Sequence, residues 1–357
     1  MSVPLFASSL EPYRARLEEA LARVVQTGQF ILGPEVAAFE EEFASYLGVK
    51  HCVGVANGTD ALAIALRALG VGPGDEVVMP SLTFYATAEA AADVGATPVF
   101  CDVDPDTACV TAETVRAALT PRTKAIVPVH LYGNVAPIPE LRELGLPVLE
   151  DAAQAAGATL DGAKAGSLAD AATFSFFPSK NLPCLGDGGA VTTDSDEVAA
   201  QARMLRFHGS RDKMTFEEVG YNSRLDELQA AALRVLLPEL DGWTEARRAA
   251  AAEYERRGIA EHVTPLRPGD GPAFHLYTVR SGRADELAAS LKEQGVAARG
   301  YYRTPVHRQP AMAKFGAGAD LPATEELAAT NLALPMGTGI SAEQVGEVVD
   351  ACASGST

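Results

Sequence analysis

The chain has 357 residues, with 29 Lys+Arg against 47 Asp+Glu and a formal charge of −18. A composition of 47 % hydrophobic and 21 % charged residues is that of an ordinary globular protein and excludes global disorder. So acidic a balance argues against a nucleic-acid or anionic-membrane surface, which needs net positive patches, but leaves room for a local basic site.

In chain order, the opening MSVPLFASSLEPYR lacks a basic region and a long apolar run, so no secretory leader is expected. A helix is predicted over 35–47, with Val36, Phe39, Phe43, Tyr46 and Leu47 on one face and Gly48 ending it. An apolar strand over 51–56 leads into Asn57-Gly58-Thr59-Asp60 and a buried helix that stops at Gly70. Strands are then predicted over 77–80, 97–103, 124–130 and 147–151, alternating with helices over 84–94, 111–119 and 137–144. Two more strands are expected over 171–177 and 189–193. Strand–helix alternation implies a mostly parallel sheet with helices on both faces. Long helices follow over 195–207, 223–240 and 244–257. The remainder is shorter: strands over 274–280 and 296–302, and helices over 284–294 and 342–353. The length is too great for one ordinary core of about 200–250 residues. A boundary near 240 is expected, giving a large unit over 1–240, with an arm and helix over 1–34, and a small α/β unit over 241–357.

The five cysteines are odd in number and show no C-x-x-C spacing, which argues against a disulfide framework or zinc knuckle and fits a reducing cytoplasm. The stretch 125–139 is free of Asp, Glu, Lys and Arg but interrupted by prolines, and falls short of the roughly 20 apolar residues of a membrane span.

Open α/β sheets bind ligands at the carboxyl ends of their strands. After the first strand, Asn57-Gly58-Thr59 opens a helix, where free N–H groups and the helix dipole favour an anion; an ordinary N-cap is the plainer reading. After the second, Phe84 and Tyr85 could stack on a planar ring or simply pack. Asp151 ends an apolar strand with Gln154 three residues on; it faces the crevice or caps a helix. In Ser175-Phe-Phe-Pro-Ser-Lys180, a lysine stands on a turn between two buried strands. Most lysines on loops are solvated, but a desolvated one has a lowered pKa and makes a good imine-forming nucleophile. One ligand suits all four features. Pyridoxal phosphate needs a dianion cradle, a ring platform, an acid at its ring nitrogen and a lysine for its aldehyde.

The stretches that carry a resemblance are GQFILGPEVAAFEEEFASYLG, ANGTDALAIALRALGVGPGDEV, PSLTFYATAEA, EDAAQAAGA, SFFPSKNL with GDGGAV, RFHGS, GYNSRLDELQAAALR and TPVHRQP. Over nearly its whole length the chain resembles the fold-type-I sugar aminotransferases of the DegT/DnrJ/EryC1/StrS family. The resemblance implies that Lys180 is the Schiff-base lysine and proton shuttle, holding pyridoxal 5′-phosphate as an internal aldimine. It implies that Asp151 pairs with the ring nitrogen, Gln154 sits near the ring hydroxyl, and Phe84 stacks on the ring. Gly58, Thr59 and Ser175 would hold the phosphate, with Asn222 reaching it from a neighbouring subunit, so that the active unit is a homodimer. Tyr302 and His307 match a segment bordering the sugar pocket. The chain departs from its relatives at Pro183-Cys184-Leu185, where Gly commonly follows the Lys-Asn-Leu.

Arg203, Arg206, Arg211 and Lys213 cluster with His208 in an otherwise acidic chain; they are either a solvated helix end or an attraction for a nucleotide diphosphate. Asp102, Asp104, Asp106 and Glu113 fall at calcium-loop spacing, but Thr107 stands where that loop needs Gly. The histidines show no metal-ligand spacing. The expected activity is amino transfer from L-glutamate to a nucleotide-linked keto sugar, with 3-keto sugars favoured and an amino-cyclitol ketone as the alternative. A dehydratase, a cysteine desulfurase using Cys184, and a non-catalytic regulator that binds the cofactor or sugar are the competing readings.

Overall fold

The computed structural model describes residues 2–355. The helices of the first part are α1 (Arg14–Thr27), α2 (Pro34–Leu47), α3 (Gly58–Ala68), α4 (Ala86–Asp93), α5 (Ala112–Ala118), α6 (Ile138–Arg142), α7 (Asp196–Leu205), α8 (Glu227–Leu236) and α9 (Leu240–Arg256). The strands are β1 (His51–Val55), β2 (Glu76–Pro80), β3 (Thr97–Cys101), β4 (Thr123–Ile126), β5 (Leu149–Asp151), the hairpin β6 (Thr159–Leu160) and β7 (Ala163–Lys164), β8 (Ala171–Ser175) and β9 (Gly189–Thr193).

Two ladders, β1-β9-β8-β5 and β3-β2-β4, are joined by parallel bridges Ile126–Val148 and Val129–Asp151. The result is one sheet in the order β1-β9-β8-β5-β4-β2-β3. Its strands run parallel except β9, which is antiparallel to both neighbours. Helices cover both faces, so β2 is buried along its whole length, and from Val77 to Pro80 it reads as a continuous apolar run. α3 is likewise buried from Ala61 through Leu66, because it lies under α4 and α7 against the sheet.

α2 forms where the 3.6-residue pattern places Val36, Phe39, Phe43 and Leu47 on one buried stripe, and Gly48 ends it in the left-handed region at φ 79°. The start of α2 is capped from α8. The buried Glu227 carboxylate accepts from the N–H groups of Gly33 (2.7 Å), Glu35 (2.9 Å) and Val36 (2.9 Å). These are the orphan donors of a helix start, met by a negative charge at the positive end of the dipole. Replacing Glu227 by Ala is expected to cost roughly 2–4 kcal/mol, because two buried donors and one half-buried donor lose their acceptor. Glu227→Gln, which keeps an acceptor, should cost less. Shifts in the denaturant midpoint at unchanged slope will measure both.

A separate antiparallel ladder consists of β10 (Thr264–Pro265), β11 (Tyr277–Arg280) and β12 (Asn331–Leu334), with α10 (Ala284–Glu293) and α13 (Ala342–Gly355) in the same part of the chain. Between them α11 (Ala313–Gly316) and α12 (Pro322–Thr330) complete the chain. The core beside this ladder joins Tyr254 of α9 to Val279, Leu332, Leu334 and Val348.

The structure departs from the sequence expectations in several places. The opening residues pair with the C-terminal part of the chain: Val3 bridges to Val296 and Phe6 to Met336, and Val3 is 1 % exposed. Val306, Met312 and Leu321 are buried in the core of the large sheet. The helix expected from 223 begins only at Glu227, because Asn222 bridges to Phe207 and Asp226 to Ile31 in extended backbone. The strand expected over 296–302 makes only single bridges, at Val296 and Arg299.

Candidate active site

The carboxyl ends of β1, β5 and β8 meet at one edge of the sheet, and the turns that leave them carry the candidate residues. Asn57, extended after β1, caps α3 by accepting from Asp60 N–H at 2.8 Å. That leaves the N–H groups of Gly58 and Thr59, the first two helical residues, without intrahelical acceptors. The backbone is crowded here. A Cβ on Gly58 would lie 2.7 Å from Ser175 Cβ, and one on Gly189 would lie 2.4 Å from the Asn57 carbonyl oxygen. Glycine is therefore required at both positions for β8 and β9 to approach the helix start. Ser175 Oγ accepts from Phe177 N–H at 3.4 Å, so its own hydrogen remains for a ligand. Two free N–H groups, a helix dipole and a hydroxyl make a cradle for a phosphate.

Asp151, the last residue of β5, is 5 % exposed. One carboxylate oxygen accepts from Thr87 Oγ1 (2.8 Å) and the other from Ala153 N–H (3.2 Å). Burial raises its pKa above the usual carboxylate range, while Thr87, Ala153 and the Lys180 charge act against that shift. A protonated ring nitrogen would supply the cation that this buried acid lacks. Gln154 is fixed at both ends, its Oε1 accepting from Tyr132 N–H (2.7 Å) and its Nε2 donating to Tyr302 Oη (3.1 Å). Phe84 is 56 % exposed in the turn that follows β2, its ring centroid 5.9 Å from that of Tyr302. A large aromatic left open beside a strand-end crevice is a platform for a planar ligand.

Lys180 closes a turn in which its N–H donates to the Phe177 carbonyl at 2.8 Å. Its neighbour Asn181 pins that turn, donating to Ala273 O (2.9 Å) and accepting from His275 Nδ1 (3.2 Å). Burial brings the Lys180 amine down to about 8, with Asp151 pulling the other way. At pH 7 roughly one molecule in ten then carries a free amine, against one in a few thousand for an ordinary lysine. Capture of pyridoxal phosphate by the cofactor-free protein should therefore quicken about tenfold per unit up to pH 8 and level off above it, as stopped-flow absorbance will show. The linked effect on folding has a definite sign. A lysine whose folded value is depressed contributes stability above its unfolded value, and loses it as the pH falls through about 8. These residues fit pyridoxal phosphate: a cradle for its phosphate, an acid for its nitrogen, a face for its ring and an amine for its aldehyde.

Other expected residues stand elsewhere. His307 is buried, with Nδ1 against Ser81 Oγ (2.6 Å) and Nε2 against Glu325 Oε1 (2.9 Å), so it has no nitrogen free for a sugar and serves as a tie behind the pocket. Arg206 does not belong to a basic patch: it is 8 % exposed, ion-paired with Glu40 and bonded to Gly54 O (2.7 Å). Arg211 pairs with Glu217 at 3.0 Å and Lys213 lies over the Phe207 ring at 5.0 Å, so both belong to the exposed arm between Phe207 and Asn222. Asn222 is exposed at the root of that arm, bonded to Arg224, while the adjacent Ser223 accepts from Ala56 N–H at 3.1 Å. Cys184 is 1 % exposed, its thiol pushed up to about 11 by burial and donating to Gly186 O (3.1 Å), which is the opposite of a mobile nucleophile. Asp104 folds back on the N–H groups of Asp106 and Thr107, and Asp102 on those of Ala323 and Thr324.

The sequence reading did not single out Thr87, Tyr132, Asn181 or His275. Asn181 adjoins the lysine and was legible as part of that turn. The others come from other elements and are joined to the site only by the fold.

A model of the DegT/DnrJ/EryC1/StrS aminotransferase family matches residues 13–353. The chain is 46 % identical, over 354 residues, to the dTDP-3-amino-3,4,6-trideoxy-alpha-D-glucose transaminase of Streptomyces venezuelae, covering 96 % of this chain and 93 % of that protein. It is 45 % identical, over 362 residues, to the pleiotropic regulatory protein of Geobacillus stearothermophilus, covering 98 % and 97 %. The crystal structure of S. venezuelae DesV in complex with a ketimine intermediate superposes with a TM-score of 0.94 at 44 % identity, covering 98 % of this chain and 97 % of that one. The chain belongs to the DegT/DnrJ/EryC1/StrS family and is a pyridoxal-phosphate-dependent aminotransferase.

Proposed function

We propose that the protein moves an amino group from L-glutamate to a nucleotide-linked 3-keto sugar, as a cytoplasmic homodimer with shared active sites. The observation that carries this reading is the convergence of Lys180, Asp151 and the Gly58/Thr59/Ser175 cradle on one sheet edge. When bound, pyridoxal phosphate supplies an electron sink for the electron pair left at the substrate carbon. The protein's part is to hold and to move protons. Gly58, Thr59 and Ser175 grip the phosphate, Phe84 supports one ring face, and Asp151 keeps the ring nitrogen protonated. The Lys180 amine would take the proton from the donor's Cα and deliver it to C4′ of the cofactor, across the intervening nitrogen, and would reverse the transfer for the sugar. Tyr302, tied to Gln154, borders the sugar side. Asn222 of the partner subunit completes the phosphate site, and the arm with Arg211 and Lys213 brings positive charge to the nucleotide.

The choice of carbon 3 is supported by the name of the S. venezuelae relative. An amino-cyclitol ketone is the alternative acceptor. The Geobacillus relative's name favours a second reading, a regulator that binds cofactor or sugar without turnover. The intact Lys180 and Asp151 speak against it. Adding L-glutamate to the cofactor-loaded protein should bleach the visible cofactor band and release 2-oxoglutarate, and a keto sugar should restore the band. Bleaching by cysteine alone would indicate a desulfurase, and no response to any amine would indicate the regulator. Mixing Lys180→Ala and Asn222→Ala proteins should recover activity absent from the first alone. No recovery after verified subunit exchange would sink the shared site. No described helix is long and apolar enough to cross a membrane.

A further inference from the structure

Arg247 of α9 is 4 % exposed and has no acidic partner: among the described residues, no carboxylate oxygen lies within 4.0 Å of its guanidinium. Its Nη1 donates to the Phe274 carbonyl at 3.2 Å and its Nη2 to Ser8 Oγ at 3.3 Å, while Nε is buried with no partner. Burial alone brings the guanidinium down to about 10. An uncompensated buried charge is costly, and stability does not explain its presence.

The cation borders a cavity of about 100 Å³ whose walls include Lys180, Ser179, Ser8, Ser9 and Thr338. Ser8 Oγ already accepts from Arg247 and from Thr338 N–H (3.1 Å), so its own hydrogen is left for another acceptor. His275, beside both Lys180 and Arg247, is buried and held neutral well below the usual imidazole value, so it brings no negative charge. With Lys180 committed to the cofactor, one cation, Arg247, and a free hydroxyl donor thus share a small chamber that no carboxylate lines.

We infer that Arg247, with Ser8, is the subsite for a carboxylate of the amino donor. The inference rests on the aminotransferase reading above and adds to it the group that recognises an amino acid. A planar carboxylate matches the guanidinium fork. The chamber is too small for a nucleoside diphosphate, since sites for ligands of that order occupy about 300–1,000 Å³. A keto sugar that is not a uronate brings no carboxylate to the site. Arg247 therefore distinguishes the amino donor from a neutral sugar ring by charge: the donor carboxylate neutralises it and the sugar ring does not.

The test uses the cofactor-loaded protein and reads each half-reaction separately by single-turnover absorbance. Arg247→Met should raise the half-saturating L-glutamate concentration on the order of 10²-fold. The loss in the sugar half-reaction should be at least about tenfold smaller, and Arg247→Lys should recover part of the glutamate binding. Glutarate, a dicarboxylate without an amine, should compete with glutamate in the wild type and bind the Met variant far more weakly by calorimetry. A purely structural role predicts instead a lowered melting temperature and equal losses in both halves, and that result would overturn the subsite. So would wild-type glutamate affinity in Arg247→Met, with the aminotransferase reading left intact. If no amino acid reacts with the wild type, the functional reading fails. Glutarate calorimetry then still decides whether Arg247 binds carboxylates.

Discussion

Lys180→Ala should lower turnover by at least about 10⁴-fold, the upper range for loss of a proton-transfer group, because covalent capture of the cofactor goes with it. The variant removes the only candidate amine on the turn that Asn181 anchors to Ala273 and His275. Fold should survive. The Lys180 side chain forms no ion pair among the described residues, and its burial depresses its pKa, so at neutral pH its removal relieves a cost. The phosphate cradle and Asp151 are untouched, so pyridoxal phosphate should still bind, now reversibly. Borohydride reduction followed by mass spectrometry of the peptides will check this: the wild type should carry the cofactor on Lys180, and the variant should carry none. A trapped adduct elsewhere in Lys180→Ala, or a rate within tenfold of wild type, would move the chemistry to another residue.

Asp151→Asn should be the second-largest loss, on the order of 10²–10³-fold, similar to removal of a preorganised electrostatic group from other active sites. The change preserves shape. Thr87 now donates to Asp151 and lies 3.0 Å from Thr83 Oγ1. In the variant its hydroxyl can accept from the new amide and turn its hydrogen to Thr83. The charge is lost, and with it the reason for the ring nitrogen to stay protonated. The stability effect has the opposite sign from the activity effect. In the cofactor-free protein the Asp151 pKa is raised by burial, so its contribution is present below the unfolded value and lost as the pH rises through the folded one. The Asn variant should lack that decline, and cofactor-free melting curves at several pH values will show it. An equal loss of activity and stability would mean that Asp151 holds the crevice together and does not act on the cofactor.

The site was legible in the sequence to the extent that local chemistry dictates local structure. Asn57-Gly58-Thr59 reads as a capped helix start from its residue types alone, and the structure adds why Gly is obligatory there: Ser175, more than a hundred positions away, fills the space. Asp151 and Lys180 stood out because a charge ending a buried strand, or on a turn between two, is costly without a partner. His307 and Arg206 stood out for the same kind of reason, yet each is satisfied inside the fold, by Ser81 and Glu325 and by Glu40 and Gly54. A titratable residue's partners are invisible when they come from distant segments. Arg247 was missed for the converse reason. On a helix rich in Arg and Glu it looks like any solvated cation, and only packing against Ser8 and Phe274 strips its water away.

The element boundaries divide along the same line. Periodicity, capping and glycine stops depend on neighbours within a few residues, so α2, α3 and the buried strands could be read from the chain itself. The alternation of those strands with helices fixed the parallel sheet, and the sheet fixed the edge where a ligand must sit. The pairing of Val3 with Val296, the extended run before α8, the reversed direction of β9, and the burial of Val306, Met312 and Leu321 in the core of the large sheet belong to the tertiary structure. Each joins segments far apart along the chain, and their free energy comes from contacts whose partners no local window contains.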